Sequence, residues 1–216
     1  MSIMDKLDYK KQFKDLYAPT TTPGLIQVPA MNFIMIDGKG DPNVEGGEYQ
    51  QALGLLYPLI FTIKMSKMSG ETPPGYFDYV LPPLEGFWWN HDNSPIDFAH
   101  FQKEHFCWTS FFRQPEYVTP EVFAWACESV RKKKGLDPSK ARLVTFEEGL
   151  CAQVLHMGTY DSEGPTIEKL EHFIEEQGYV PDLSDKRRHH ELYLSDVRKV
   201  APEKNRTVIR LPIRKV

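Results

Sequence analysis

The stretch His189-His190-Glu191-Leu192-Tyr193-Leu194 alternates as a half-buried strand does, and successive side chains of a strand point to opposite faces. His190, Leu192 and Leu194 then share a core face, with His189, Glu191 and Tyr193 on the other. A carboxylate held mid-strand between two flat, partly polar rings is unfavourable unless it is paired or used. Leu84-Glu85-Gly86-Phe87-Trp88-Trp89 has the same form, with Glu85, Phe87 and Trp89 on one face. In both segments a Glu precedes an aromatic residue at the next same-face position, and the two are expected to wall one pocket. A carboxylate enclosed by rings has its pKa raised by desolvation, and a second carboxylate nearby raises one of the pair further. Glu191 and Glu85 are therefore the expected acid–base pair, able to act near neutral pH or to hold a cation against ring faces.

Other chemistries are poorly supported. His189 and His190 are adjacent on a strand and cannot chelate one ion. His91, His100, His105, His156 and His172 form no HxH or HExxH pattern, so no metal site is expected. Ser195-Asp196 lacks the context of a nucleophile elbow. Gly38-Lys39-Gly40 lacks the Lys-Ser/Thr of a phosphate loop. No cofactor is expected.

Several elements must position these residues. Residues 3–17 suit a short amphipathic helix, broken by Thr20 to Gly24. Gln27 to Ile36 reads as a central strand, apolar on both faces, and 38–43 as a turn. A helix is expected from about Gly47 to Met65, kinked by Pro58, which removes a hydrogen bond and crowds the preceding turn. Tyr76 to Leu81 and Glu85 to Asn90 read as strand pieces separated by Pro82-Pro83, followed by an irregular segment to Lys103. His105 to Arg113 is a further strand. Thr119-Pro120-Glu121 starts a helix that stops at Gly135.

The second half repeats this order. It has strands at Arg142–Thr145 and Leu150–Met157, a turn at Gly158 to Asp161, and a helix from about Pro165 to Gln177. Strands at His189–Leu194 and Arg206–Ile213 close it. A duplicated strand-helix-strand-strand module accounts for the order. Two such modules about a pseudo-two-fold axis give an α+β fold, an antiparallel sheet with helices on one face and a cleft at the junction. The expected organisation is one domain: an N-terminal helix and linker over 1–26, a first module over 27–118 and a second over 119–216.

With 216 residues and 41% hydrophobic content the chain can bury a substantial core. A net charge of −4 gives no electrostatic footprint for nucleic acid. The basic run Arg131 to Lys134 sits at a helix C-terminus, where cations suit the dipole. No apolar run is long enough to span a membrane, and no signal-peptide core is present. Three cysteines without CxxC spacing argue against a disulfide framework and for a reducing, cytoplasmic setting.

Taken together, several segments resemble the GyrI-like small-molecule-binding family in its stand-alone form. They are Val28 to Phe33 with Gly38 to Asn43, Pro82 to Trp89, Trp108 to Glu116, His156 to Asp161, and His189 to Asp196. The resemblance implies tandem modules with a ligand cleft, and a Glu at position 191 that in relatives fused to DNA-binding domains meets lipophilic cations. It also implies hydrolytic opening of cyclopropanoid DNA-alkylating compounds within an aromatic cage. Glu191 would activate water, and Glu85 or a Tyr hydroxyl would protonate the oxygen that gains charge. Phe87, Trp88 or Trp89, Trp108, Tyr160 and Tyr193 would form the cage, with Tyr79 and His156 as further ligand contacts. The alternative is a binding protein that only sequesters lipophilic or cationic drugs. DNA gyrase is a partner by family resemblance only.

Overall fold

The computed structural model describes residues 6–68, 70, 72–92, 96 and 102–216. Residues 3–5 of the expected first helix, His100 and much of the segment 91–103 lie outside the described residues. Among those described, an antiparallel sheet is built from β1 (Gly24–Val28), β2 (Met31–Lys39), β3 (Leu84–Asn90), β4 (Phe106–Gln114), β5 (Ala141–Phe146), β6 (Gly149–Met157), β8 (His189–Tyr193) and β9 (Arg206–Lys215). Their order is β1-β6-β9-β8-β3-β4-β2-β5, and β7 (Tyr179–Pro181) pairs with β9.

The duplication is visible in that order, since β2-β4-β3 on one side mirrors β6-β9-β8 on the other. Matching turn bonds fix the equivalence: Gly40 N–H donates to Phe106 O at 2.7 Å, and Gly158 N–H to Asn205 O at 3.0 Å. Both glycines have positive φ, 93° and 139°, where an L side chain is strained. The modules meet where β3 pairs with β8, Gly86 opposite Glu191 and Phe87 opposite His190.

Both connecting helices lie on one face. α3 (Glu48–Lys64) packs on β2 and β4 through buried Leu56, Leu59, Ile60 and Ile63. It continues through Pro58 as one helix, and the Thr62 hydroxyl donates to Pro58 O at 2.8 Å. α5 (Gly164–Glu176) buries Ile167, Leu170 and Ile174 over β6, packed in one apolar cluster with Val154, Ile209 and Leu211. α4 (Pro120–Lys134) packs on α3, capped by Thr119 and ended by Gly135 in the left-handed conformation.

The opposite face is partly covered by two short helices, α1 (Tyr9–Gln12) and α2 (Lys14–Tyr17), where one helix was expected. Phe13 separates them, and the Arg113 guanidinium from β4 lies over both the Tyr9 and Phe13 rings, 4.5 and 4.4 Å from their centroids. The expected strand 27–36 is split at Pro29-Ala30 into β1 and β2, which reach different parts of the sheet. β2 then continues through Gly38 to Lys39, paired with Trp108 and Cys107 of β4, and only glycine fits at 38 because the Trp108 ring lies where a Cβ would stand. Tyr76 to Leu81 is not a strand and makes only an isolated bridge between Leu7 and Tyr79. No helix among the described residues is long and apolar enough to cross a membrane.

Candidate functional site

The register of β3 against β8 decides which side chains can meet. Residues directly paired across strands share a face. Glu191 therefore shares a face with Gly86, Trp88, Trp108 and Ser110, between α3 and α5. Glu85 shares the other face with Phe87, His190 and Leu192. The expectation that Glu85 and Glu191 enter one cleft is thus not met: the sheet itself separates them.

The cause is a register offset. Five residues before Gly40, Met35 pairs through Phe111 to Glu85. Five residues before Gly158, Gln153 pairs through Arg210 to His190. The two-fold axis carries Glu85 onto His190 and Gly86 onto Glu191, one residue away from matching the two Glu-x-aromatic segments. A one-residue slip in a strand moves every side chain to the opposite face.

On the helix-covered face, Glu191 is only 8% exposed. Its Oε1 lies 3.2 Å from His189 Nε2. The Trp88 indole N–H donates to the Tyr193 oxygen at 2.7 Å, and burial, then the Glu191 charge, raise the Tyr193 pKa. Gly86 makes this pairing possible, since a Cβ there would stand 2.9 Å from Trp88 Nε1 and 3.1 Å from the Tyr193 oxygen. Tyr49 from α3 packs on the Trp88 and Trp108 rings, with centroids 5.7 and 5.0 Å away. Tyr160 meets the Tyr193 ring edge-on at 5.5 Å and is 40% exposed, at the mouth.

Glu163 completes the site. It stands at the N-terminal end of α5, is 2% exposed, and has a carboxyl oxygen within 4.8 Å of one of Glu191. Burial, then the Glu191 charge, hold its carboxyl protonated well above 4.5. Glu163, His189 and Glu191 each offer a ligand atom, and these lie within 4.8 Å of one another, the one group among the described residues that could hold a metal ion. The donor set, one imidazole and two carboxyls, would suit a transition-metal dication.

The turn that carries Tyr160 and Glu163 is fastened by His156. Its Nε2 lies 3.0 Å from Thr159 O and its Nδ1 2.9 Å from Thr166 Oγ1. A carbonyl only accepts, so Nε2 carries the hydrogen and the Thr166 hydroxyl donates to Nδ1. Burial keeps the ring neutral by lowering its pKa. His156 thereby holds the turn to α5, and both its nitrogens are engaged.

Of the residues singled out from sequence, Glu191, Trp88, Trp108, Tyr160 and Tyr193 come together on this face. Trp108 is fully buried behind Tyr49 and forms the deep wall. Phe87 lies on the other face among Phe111, Phe146 and His190. Trp89 lies there too, under the Arg188 guanidinium at 4.6 Å. Tyr79 is in a separate cluster with Tyr9 and Lys64 at the far end of α3. Sequence reasoning missed Glu163 and Tyr49, whose approach depends on how turn and helix fold over the sheet. His189 was legible by its alternation with Glu191.

Glu85 belongs to a buried ion network. His190 Nε2 bonds to Glu85 Oε2 at 3.1 Å and Nδ1 to Glu148 Oε2 at 3.0 Å. With a carboxylate oxygen at each nitrogen, the ring is an imidazolium. Burial opposes that charge, but the Glu148 charge and the two hydrogen bonds outweigh it, so the His190 pKa is raised. Arg210 bonds to Glu148 and Gln153, and donates to Leu16 O of α2 at 2.8 Å. Two open cavities among the described residues, of about 250 and 730 Å³, lie at α3 beside the turn before β5 and between the N-terminal segment and β1. Neither combines a buried carboxyl pair with ring walls.

Comparison with known proteins agrees with this architecture. No curated protein matches the chain. An uncharacterized conserved protein from Listeria innocua is 48% identical, with a TM-score of 0.90 over 97% of this chain and 100% of that one. Two Listeria innocua structures described as a hydrolase are 47% and 46% identical, with TM-scores of 0.87 and 0.88 and the same coverage. The C-terminal domain of EcmrR, 14% identical with a TM-score of 0.51, covers 90% of this chain and 98% of that domain and speaks for the fold alone. Residues 21–214 match the GyrI-like small-molecule-binding domain, and the chain belongs to that family.

Proposed function

We propose that the cleft binds planar, hydrophobic aromatic compounds and hydrolyses cyclopropanoid DNA-alkylating compounds by water attack assisted by Glu191. The observation that carries this reading is a carboxylate only 8% exposed, set among Trp88, Tyr49, Tyr160 and Tyr193 and oriented by His189. Stacking on such rings contributes about 0.5–1.5 kcal/mol per aromatic pair beyond area burial. The description of 46–47% identical Listeria innocua structures as a hydrolase supports it.

In the reaction, the water oxygen bonds to the cyclopropane methylene while Glu191 takes a water proton. The bond from methylene to ring carbon breaks, and its electron pair moves through the conjugated ring to the carbonyl oxygen. That oxygen takes a proton from a tyrosine hydroxyl of the outer wall, Tyr49 or Tyr160, which Glu191 restores through solvent. Glu85, beyond the sheet, takes no part. General-base catalysis with positioning supplies about 10²–10⁴-fold, enough for an already reactive compound.

The test is incubation with such a compound and mass detection of the ring-opened water adduct. Glu191→Gln should abolish turnover while retaining binding of neutral ligands. Binding without any adduct from the unaltered protein would instead favour sequestration, for which a buried carboxylate among ring faces also suits lipophilic cations.

A further inference from the structure

Three buried side chains from two elements converge beside the ring walls. His189 and Glu191 stand two places apart on one face of β8, and Glu163 reaches them from the residue before α5. They are 4%, 8% and 2% exposed, and each offers a ligand atom within 4.8 Å of the others. No lysine or arginine among the described residues forms an ion pair with either carboxyl, and the His189 imidazole is the basic group beside them. Two carboxyls withdrawn from water with so little compensation are unfavourable. A proton on Glu163 removes one charge, but its Oε1 still lacks a hydrogen-bond partner among the described residues. A bound dication would meet both needs.

The distances fit such an ion. Zinc takes imidazole nitrogen and carboxylate oxygen at about 2.0–2.2 Å, so neighbouring ligand atoms of a tetrahedral site stand about 3.4 Å apart. His189 Nε2 and Glu191 Oε1 are already 3.2 Å apart. The widest separation, at most 4.8 Å, exceeds the ideal by about 1.4 Å, which rotation of a glutamate side chain takes up. Calcium and magnesium prefer oxygen alone, so the imidazole selects a transition metal.

We propose that His189, Glu191 and Glu163 bind a transition-metal dication of the zinc class, with a fourth position open to water or a ligand oxygen. His190 turns to the rear of the sheet and takes no part. The inference goes beyond the hydrolytic reading and does not depend on it. An ion and a water proton compete for Glu191, so cyclopropanoid hydrolysis is measured on chelator-treated protein and metal binding without that substrate.

The experiment titrates chelator-treated, tag-free protein with Co²⁺, read by its visible d–d absorption, and then displaces it with Zn²⁺. One Co²⁺ per chain should bind with the intense band of a four-coordinate ion. Zn²⁺ should displace it with a Kd below about 1 μM, and excess Mg²⁺ should not. Glu163→Gln, His189→Gln and Glu191→Gln should each weaken Zn²⁺ binding at least about 100-fold, since loss of a residue that merely orients a metal ligand costs about 10–100-fold. The exposed pair His172 and Glu176, 3.2 Å apart on α5, is the rival surface site, and His172→Ala should change nothing. A buried substitution can unfold the chain, so anomalous scattering at the zinc edge locates the ion in crystals of the unaltered protein. An ion between Glu163, His189 and Glu191 supports the proposal. No saturable binding, an ion at His172 or elsewhere, or unchanged affinity in the folded ligand variants overturns it. Turnover by metal-free protein that binds no ion leaves only the hydrolytic reading; an ion site without turnover leaves only this one.

Discussion

Removing the Glu148 carboxylate should unlock the buried network behind the site, and its effect can be worked from the structure. Glu148 lies in the turn between β5 and β6 and is 3% exposed. Its Oε2 accepts from His190 at 3.0 Å and Arg210 at 3.2 Å. Burial alone would raise its pKa, but the His190 and Arg210 charges and hydrogen bonds prevail and bring it from 4.5 to about 2. At 1.36 kcal/mol per unit, the contact contributes about 3 kcal/mol to stability. A lowered folded pKa means that the unfolded chain binds the proton first. The contribution is therefore present above pH 4.5 and is lost as pH falls toward about 2. His190 has the reverse sign: its raised pKa makes its contribution complete below 6.5 and lost as pH rises through the folded value. Both shifts describe one contact, so the energy is counted once, and it is complete between those limits. Glu148→Gln deprives buried His190 and Arg210 of the carboxylate they share, which should cost about 3–5 kcal/mol at pH 6. Urea unfolding from pH 8 to 2 should show the two proteins converging at acid pH. A constant separation down to pH 2, or a loss at pH 6 below about 1 kcal/mol, would refute the reasoning.

Other outcomes follow from the register of the sheet. Trp88→Ala should weaken binding of a planar aromatic ligand at least about tenfold, a loss of about 1.4 kcal/mol, while Trp89→Ala, on the other face, should leave it within about twofold; fluorescence titration separates them. Gly86→Ala should push apart the Trp88–Tyr193 hydrogen bond and cost about 1–3 kcal/mol, read by urea unfolding together with a change in near-ultraviolet circular dichroism. Glu163 has a raised folded pKa, so the folded chain binds the proton first and stability falls as pH rises from 4.5 through the folded value. Glu163→Gln removes that penalty, so its melting temperature should exceed that of the unaltered protein at pH 8 and the gap should close toward pH 4.5.

How much could be read in the sequence depended on what each residue needed to know. Thr119, Pro120 and Gly135 act within one turn of their helix, so the bounds of α4 were legible. The repeated order of strands and helices was legible too, because each module's pattern is local. The alternation of β8 correctly divided His189, Glu191 and Tyr193 from His190 and Leu192. What failed was the relation between the halves. The similarity of Glu85-Gly86-Phe87 to Glu191-Leu192-Tyr193 suggested equivalence, but the pairing of β3 with β8 is set by turn bonds and core packing far from both segments. Glu163 was hidden for a related reason: an acidic residue before a helix is ordinary until a fold lays it against another carboxyl. Trp88 and Trp89 differ by one position, and only the register chooses between them.

That same alternation explains how one short strand serves two incompatible demands. A ligand cleft with a protonated acid beside a carboxylate is destabilising, since Glu163 is denied its charge. It persists only where the surrounding structure over-determines it. β8 meets this by turning His190 to the rear, where Glu85 from the first module and Glu148 from the second hold it from both sides. The His190 contact thus crosses the module junction at the residue next to Glu191. It ties the strand that presents Glu191 to β3, which presents Trp88 and Gly86. Glu85 is therefore a fastening of the site rather than a reagent in it. Its removal should loosen the junction and alter binding of every ligand together, whereas loss of Glu191 should discriminate among them by charge and reactivity.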